Sequence, residues 1–196
     1  MKKITMLSLA MLLVAATAFA QDSKMSIGLG LGVGLPMGDF SKDTKGNAAM
    51  GFGGGLTFGY MVNSNIEVGL GVGYQTFGEN KSVPGDNKTT NIPILLNGRY
   101  IFAGDKLKPY VGVGLGMTNQ TFDTGSNDGS AMVFTWGLGV GALYGMSEKM
   151  DLDFGLSYNN VNSDGAKYDF GGGIGKVEST INTPYLGIKV GINYKL

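Results

Sequence analysis

The sequence contains no cysteine and no histidine in 196 residues. Without cysteine there is no disulfide framework, no thiol nucleophile and no cysteine-ligated zinc. Without histidine, the Ser–His and Cys–His hydrolytic arrangements and the usual zinc-enzyme ligand sets are excluded as well. Charge is scarce: 15% of residues are Asp, Glu, Lys or Arg, where a soluble domain carries about 25%. Basic and acidic residues number 15 each and cancel, so the chain offers no basic field to nucleic acid. Proline occurs only five times and 43% of residues are hydrophobic, which excludes a polar disordered chain. No apolar run after the first twenty residues is long enough for a spanning helix, because glycine interrupts each one.

The abundant residue is glycine, at 35 of 196 positions, against roughly 7% in ordinary proteins. Its placement follows a leader-like segment. Lys2 and Lys3 form a basic head, Ile4 to Ala15 is almost continuously apolar, and Ala18-Phe19-Ala20 precedes the polar Gln21. Basic head, short apolar core and small-x-small site define a cleaved secretory signal. The expected division is a signal peptide over 1–20 and a single domain over 21–196.

That domain reads at period two. In Ser26 to Leu35, Ile27, Leu29, Leu31, Val33 and Leu35 alternate with Gly28, Gly30, Gly32 and Gly34. A helix would scatter these glycines and lose about 1 kcal/mol at each relative to alanine, whereas a strand sorts them onto one face. The same alternation predicts further strands over 49–62, 66–77, 90–102, 109–121, 130–144, 149–160 and 183–196. Connections after even strands are short and those after odd strands mostly long, the pattern of a membrane barrel with an even strand count. A soluble barrel would turn the bulky face inward and leave a glycine face with few lysines or glutamates in water. The reverse assignment, bulky residues to lipid and glycine to the lumen, accounts for the composition, and closure satisfies every strand edge.

The aromatics are placed accordingly. Tyr60, Tyr100, Phe102, Tyr144 and Tyr194 fall near the short-turn ends, and Tyr74, Trp136, Tyr158 and Tyr185 toward the long-loop ends. They are expected to form two girdles at the two interfaces. With its signal segment, its Gly-x-Gly strands and the alternating apolar residues Ile188, Val190, Ile192, Tyr194 and Leu196 at its end, the chain resembles the small outer-membrane β-barrel proteins of Gram-negative bacteria, the eight-stranded OmpA/OmpX type. The resemblance implies an all-β, eight-stranded antiparallel transmembrane barrel in the outer membrane. It further implies that the last strand is an assembly signal read by the barrel-assembly machinery, although this chain ends in leucine where the family commonly ends in an aromatic residue.

Inward charges are few: Glu67, Arg99, Asp151, Asp153, Lys189 and Lys195. Glu67–Arg99 and Asp153–lysine pairs are expected across the lumen, because buried charges must be matched. These residues serve either a structural plug or the constriction of a small passive pore, and the many inward glycines favour a partly open lumen. Asp151 and Asp153 share a strand face and are a candidate acid pair for acid–base chemistry. Known barrel hydrolases resemble one another in using a catalytic histidine, which is missing, so no enzymatic role is expected. The long segment 162–183 is expected to form either a mobile loop with no partner, the reading its size favours, or a hairpin that extends the seventh and eighth strands above the membrane, where an open edge can take an extracellular partner. Gly171 to Lys176 is one residue short of a P-loop and lacks its Ser or Thr. Asp123 to Gly129 has calcium-loop composition without the ligand spacing. No cofactor, no metal and no nucleic-acid partner are expected. Outer-membrane lipid is the expected surrounding and a monomer the expected state.

Overall fold

The computed structural model describes residues 24–79, 87–170 and 175–196. The expected signal peptide lies outside the described residues. Ten strands occur in the order β1 (Met25–Pro36), β2 (Ala48–Met61), β3 (Ile66–Glu79), β4 (Lys88–Ile101), β5 (Leu107–Asp123), β6 (Asp128–Gly145), β7 (Met150–Val161), β8 (Lys167–Asp169), β9 (Lys176–Glu178) and β10 (Thr183–Lys195), with a short 3-10 turn at Gly38–Phe40. Eight of them close into an antiparallel barrel in the order β5-β4-β3-β2-β1-β10-β7-β6, sealed by β5–β6 pairing. The seal runs unbroken from Leu107↔Tyr144 to Asp123↔Asp128. Every barrel strand thereby has two neighbours, which is what a wall surrounded by hydrocarbon requires.

Side-chain parity decides the two faces. Phe52 on β2 is 69% exposed and Phe77 on neighbouring β3 is 0% exposed. Both are phenylalanine in paired strands, and only their position in the alternation differs. Leu29, Leu31, Leu70, Leu96, Leu115, Leu138, Phe154 and Val190 all lie exposed on the outer wall. One irregularity interrupts the β2–β3 ladder between Ala48 and Gly51, beside Phe77, where the extra residue bends the strand.

Short turns gather at the end where β1 begins and β10 finishes. The β2–β3 turn is set by Asn63, whose Oδ1 accepts the N–H groups of Asn65 at 2.9 Å and Ile66 at 2.8 Å, an Asx turn. At the other end β5 and β6 run for 17 and 18 residues. A tilted strand needs only about 9–11 residues to cross a bilayer, so this hairpin stands above the wall. Its tip, Asp123 to Gly129, is a turn in which Asp123 accepts the Gly125 N–H at 2.8 Å.

The segment after β7 departs from expectation. It does not lengthen β7 and β10. β8 and β9 form a small hairpin of their own, with Tyr168 opposite Val177, and β8 joins the sheet sideways at Ser130↔Asp169. The reason is register. β6 continues above the last β7 partner, Thr135↔Val161, which leaves its upper edge unpaired, and β8 occupies that edge.

Candidate functional site

The lumen holds nearly all inward polar side chains, and they are arranged in levels. At the lower level, toward the short turns, Arg99 on β4 binds Glu67 on β3 through Nε–Oε1 at 2.7 Å and reaches Asp153 on β7 through Nη1–Oδ2 at 3.2 Å. Lys189 on β10 binds the same Asp153 oxygen at 2.8 Å. Tyr110 on β5 donates to Asp153 Oδ1 at 2.8 Å, and Ser26 on β1 donates to Glu67 Oε2 at 3.3 Å. The Arg99 guanidinium also stands 5.2 Å from the centre of the Tyr110 ring. One connected group therefore ties six of the eight strands together, with two cations against two anions. The two remaining strands contribute space. A Cβ at Gly59 would lie 2.7 Å from the Glu67 carboxyl carbon, and one at Gly141 would strike the Tyr110 ring. Nearest the short turns, Lys195 binds Asp151 at 2.9 Å, and Ile101, Tyr110 and Leu143 form an apolar cluster with Met61.

The upper level uses different chemistry. Gln120 on β5 donates at 2.8 Å to both Asn91 on β4 and Thr183 on β10, and its Oε1 accepts the Tyr168 hydroxyl at 2.6 Å. The hydroxyls of Thr118 and Thr135 meet at 2.7 Å. Beside them Phe77 packs edge-on against Phe40 at 5.1 Å and tilted against Tyr185 at 5.2 Å. Glycine again makes the room: Cβ atoms at Gly34 and Gly51 would fall 2.8 and 2.6 Å from Phe77 ring carbons. Burial pushes the Tyr168 phenol up from its ordinary value of 10.0, so it stays a donor to Gln120.

Between the two levels lies a cavity of about 330 Å³, lined by inner-face glycines together with Asn97, Ser157, Asn159 and Lys189. The lumen is thus partly open around its glycines. Part of the space they release is filled by Phe77 and Tyr110, and the remainder is a chamber between two closures.

The six inward charges named from the sequence all face the lumen. Glu67, Arg99, Asp153 and Lys189 share one network, and Asp151 with Lys195 forms a second pair. Asp151 and Asp153 each face a cation. Tyr60, Tyr100, Phe102, Tyr144 and Tyr194 lie exposed on the outer wall near the short turns, as does Tyr74 toward the other end. Tyr100 and Phe102 pack edge to face at 5.0 Å, and Trp136 and Tyr158 contact at 5.7 Å. Tyr185 is a correction. It shares parity with Gly187 and Lys189, points inward onto Phe77 and lines the chamber, so it is no part of an outer girdle. Ile188, Val190, Ile192 and Tyr194 are exposed on β10, and the Leu196 N–H donates to the Met25 carbonyl at 2.9 Å. Tyr110, Ser26, Phe77 and Gln120 were not singled out as site residues. Parity alone carried that signal, since each occupies an inward position in its strand.

A closed antiparallel wall, apolar outside and polar within, defines a membrane-spanning β-barrel. The chain belongs to the outer membrane protein beta-barrel domain family, whose pattern matches residues 6–195. It is an outer-membrane protein. Among solved structures it is similar to Neisserial surface protein A at 18% identity and TM-score 0.62, covering 89% of this chain and 98% of that one. It is similar to OprG from Pseudomonas aeruginosa at 16% and 0.56, covering 88% and 96%. Ail, the attachment invasion locus protein of Yersinia pestis, matches at 15% and 0.55, covering 88% and 98%. These likenesses concern the fold. No curated protein matches the sequence as a relative.

Proposed function

We propose that this barrel is a closed wall element of the outer membrane that acts through its extracellular surface, without enzymatic activity. The observation that carries the reading is the double closure of the lumen, ionic below and aromatic and amide above. Two barriers in series favour a rigid body over a channel. The extracellular β5–β6 hairpin and the β8–β9 pair supply the surface. β9 ends the sheet, and its outer edge carries backbone groups that a partner strand can take by β-augmentation. The signal segment over 1–20 directs export and is removed in the process, folding uses the β10 residues Ile188 to Leu196 as the assembly signal, and the barrel works as a monomer.

A second reading, a small passive pore, is favoured by the chamber of about 330 Å³. Single-channel recording of the refolded protein in a planar bilayer separates the two. The closed-wall reading expects a silent bilayer from protein that has refolded with heat-modifiable mobility. Steady conductance that changes with Glu67→Ala or Arg99→Ala would overturn it in favour of the pore.

A further inference from the structure

Below the ionic layer the lumen opens into a second cavity, of about 200 Å³, at the periplasmic mouth. Its lining includes three lysines, Lys24, Lys108 and Lys195, and two acids, Glu67 and Asp151. Both acids are committed: Glu67 to Arg99 at 2.7 Å and Asp151 to Lys195 at 2.9 Å. Among the described residues, Lys24 and Lys108 have no ion-pair partner, so the vestibule carries two uncompensated positive charges. Their placement is not accidental crowding on one strand. Lys24 immediately precedes β1 and Lys108 is the second residue of β5. In the closed strand order β1 and β5 are separated by three strands on either side, so the two lysines attach to opposite walls of the cavity they line.

We propose that the periplasmic vestibule is an oxyanion site, in which Lys24 and Lys108 clamp a phosphate-class group between opposite walls of the barrel. A doubly charged, compact group with several acceptor oxygens suits two facing point-charge donors. A carboxylate carries one charge and would leave the second lysine unmatched. The apolar side of the cavity, Met61, Ile101 and Leu143, lowers the local dielectric and strengthens the attraction. The phosphate can be free in the periplasm or be the terminal phosphomonoester of an inner-leaflet lipid such as phosphatidic acid bending into the mouth.

The test titrates inorganic phosphate into refolded protein in zwitterionic micelles and reads the 13C signals of the lysine ε-methylenes. Saturable shifts are expected at Lys24 and Lys108. Lys24→Gln with Lys108→Gln should weaken binding about tenfold, equivalent to ~1.4 kcal/mol. Lys106→Gln with Lys149→Gln, at the turns and outside the cavity lining, should leave it unchanged. Lys24→Gln alone lies outside every strand and serves where the double variant refolds poorly, with a loss of about threefold expected. Repeating the titration in nanodiscs containing phosphatidic acid or phosphatidylglycerol separates the sources. Binding lost only with phosphatidic acid identifies the headgroup, and binding kept in both identifies the free oxyanion. Shifts that fail to saturate, equal affinity in the Lys24 and Lys108 variants, or an equal loss in the turn variants would each overturn the site.

Discussion

The two closures of the lumen are built from different materials and held in different ways. The lower one is a charge network whose members all sit on barrel strands: Ser26, Glu67, Arg99, Tyr110, Asp153 and Lys189. Strand pairing fixes each of them, as the direct pair Glu67↔Arg99 illustrates. The upper one is aromatic and neutral polar, and two of its members come from outside the barrel strands. Phe40 belongs to the 3-10 turn and Tyr168 to β8. A closure fixed by register is only as mobile as the wall. A closure completed by loops can loosen while the wall stays intact, since local opening costs less than global unfolding.

The largest expected effect lies in the lower closure. Arg99→Ala leaves Glu67 without its cation and Asp153 with Lys189 alone. Removing one partner of a buried pair costs about 3–5 kcal/mol, which urea unfolding of the refolded barrel would read as a lowered midpoint. Arg99→Met combined with Glu67→Gln should recover part of this, because it removes the stranded charge. A midpoint unchanged by Arg99→Ala would mean the network contributes nothing to the wall.

Phe77→Ala strikes the upper closure. Large-to-small core changes of this kind cost about 3–5 kcal/mol, which urea unfolding would read as a lowered midpoint. The single variant should still not conduct, since the ionic layer remains. Combined with Arg99→Ala it should open both barriers, so conductance from the double variant and silence from each single one would establish closures in series. Conductance from Phe77→Ala alone would show that the lower layer is no barrier.

The difference between the closures also explains what could be read in advance. Strict alternation in segments such as Ile27 to Leu35 placed the barrel strands and the lipid face, because parity is a local property of the chain. The charges Glu67, Arg99, Asp153 and Lys189 were legible for the same reason, being rare inward residues on neighbouring or facing strands. Phe77 and Tyr110 were harder. Both are large residues at inward positions, and recognising them requires knowing that Gly34, Gly51 and Gly141 vacate space on adjacent strands. That is a statement about register between distant segments, which no single segment contains. Tyr185 lies near a strand end, where girdle aromatics gather, but its parity turns it inward onto Phe77. The β8–β9 hairpin could not be placed locally either, since its position follows from the unpaired upper edge of β6.

Smaller effects should appear in the loops. Tyr168→Phe removes the hydroxyl that Gln120 accepts at 2.6 Å and retains the ring contact with Phe122 at 4.7 Å. A loss of about 1 kcal/mol is expected. The barrel midpoint should hardly move, while proteolytic cleavage within 162–182 of the folded protein should accelerate. Equal cleavage rates would place the anchor of this segment elsewhere, in Ser163, which donates to the Ile181 carbonyl at 2.9 Å.

The smallest effect concerns the turn that carries Phe40. Asp39 accepts from Lys42 at 2.7 Å and from Lys45 at 2.6 Å, and these hydrogen bonds hold its carboxyl below the ordinary value of 3.8. A depressed carboxyl contributes order that is fully present above its unfolded value and is lost as pH falls through its folded value. Acid should therefore loosen the backbone around Lys42 and Lys45 only once the pH passes below the ordinary range. Phe40, clamped by Phe77, should stay in place because its contacts do not titrate. Carboxyl 13C titration of Asp39, with Asp39→Asn as the comparison, reads both halves. A midpoint at or above 3.8 would remove the lysine clamp. Simultaneous release of Phe40 would mean that the charged turn and the aromatic closure are one unit, in which case the upper closure would inherit the acid sensitivity of its loop.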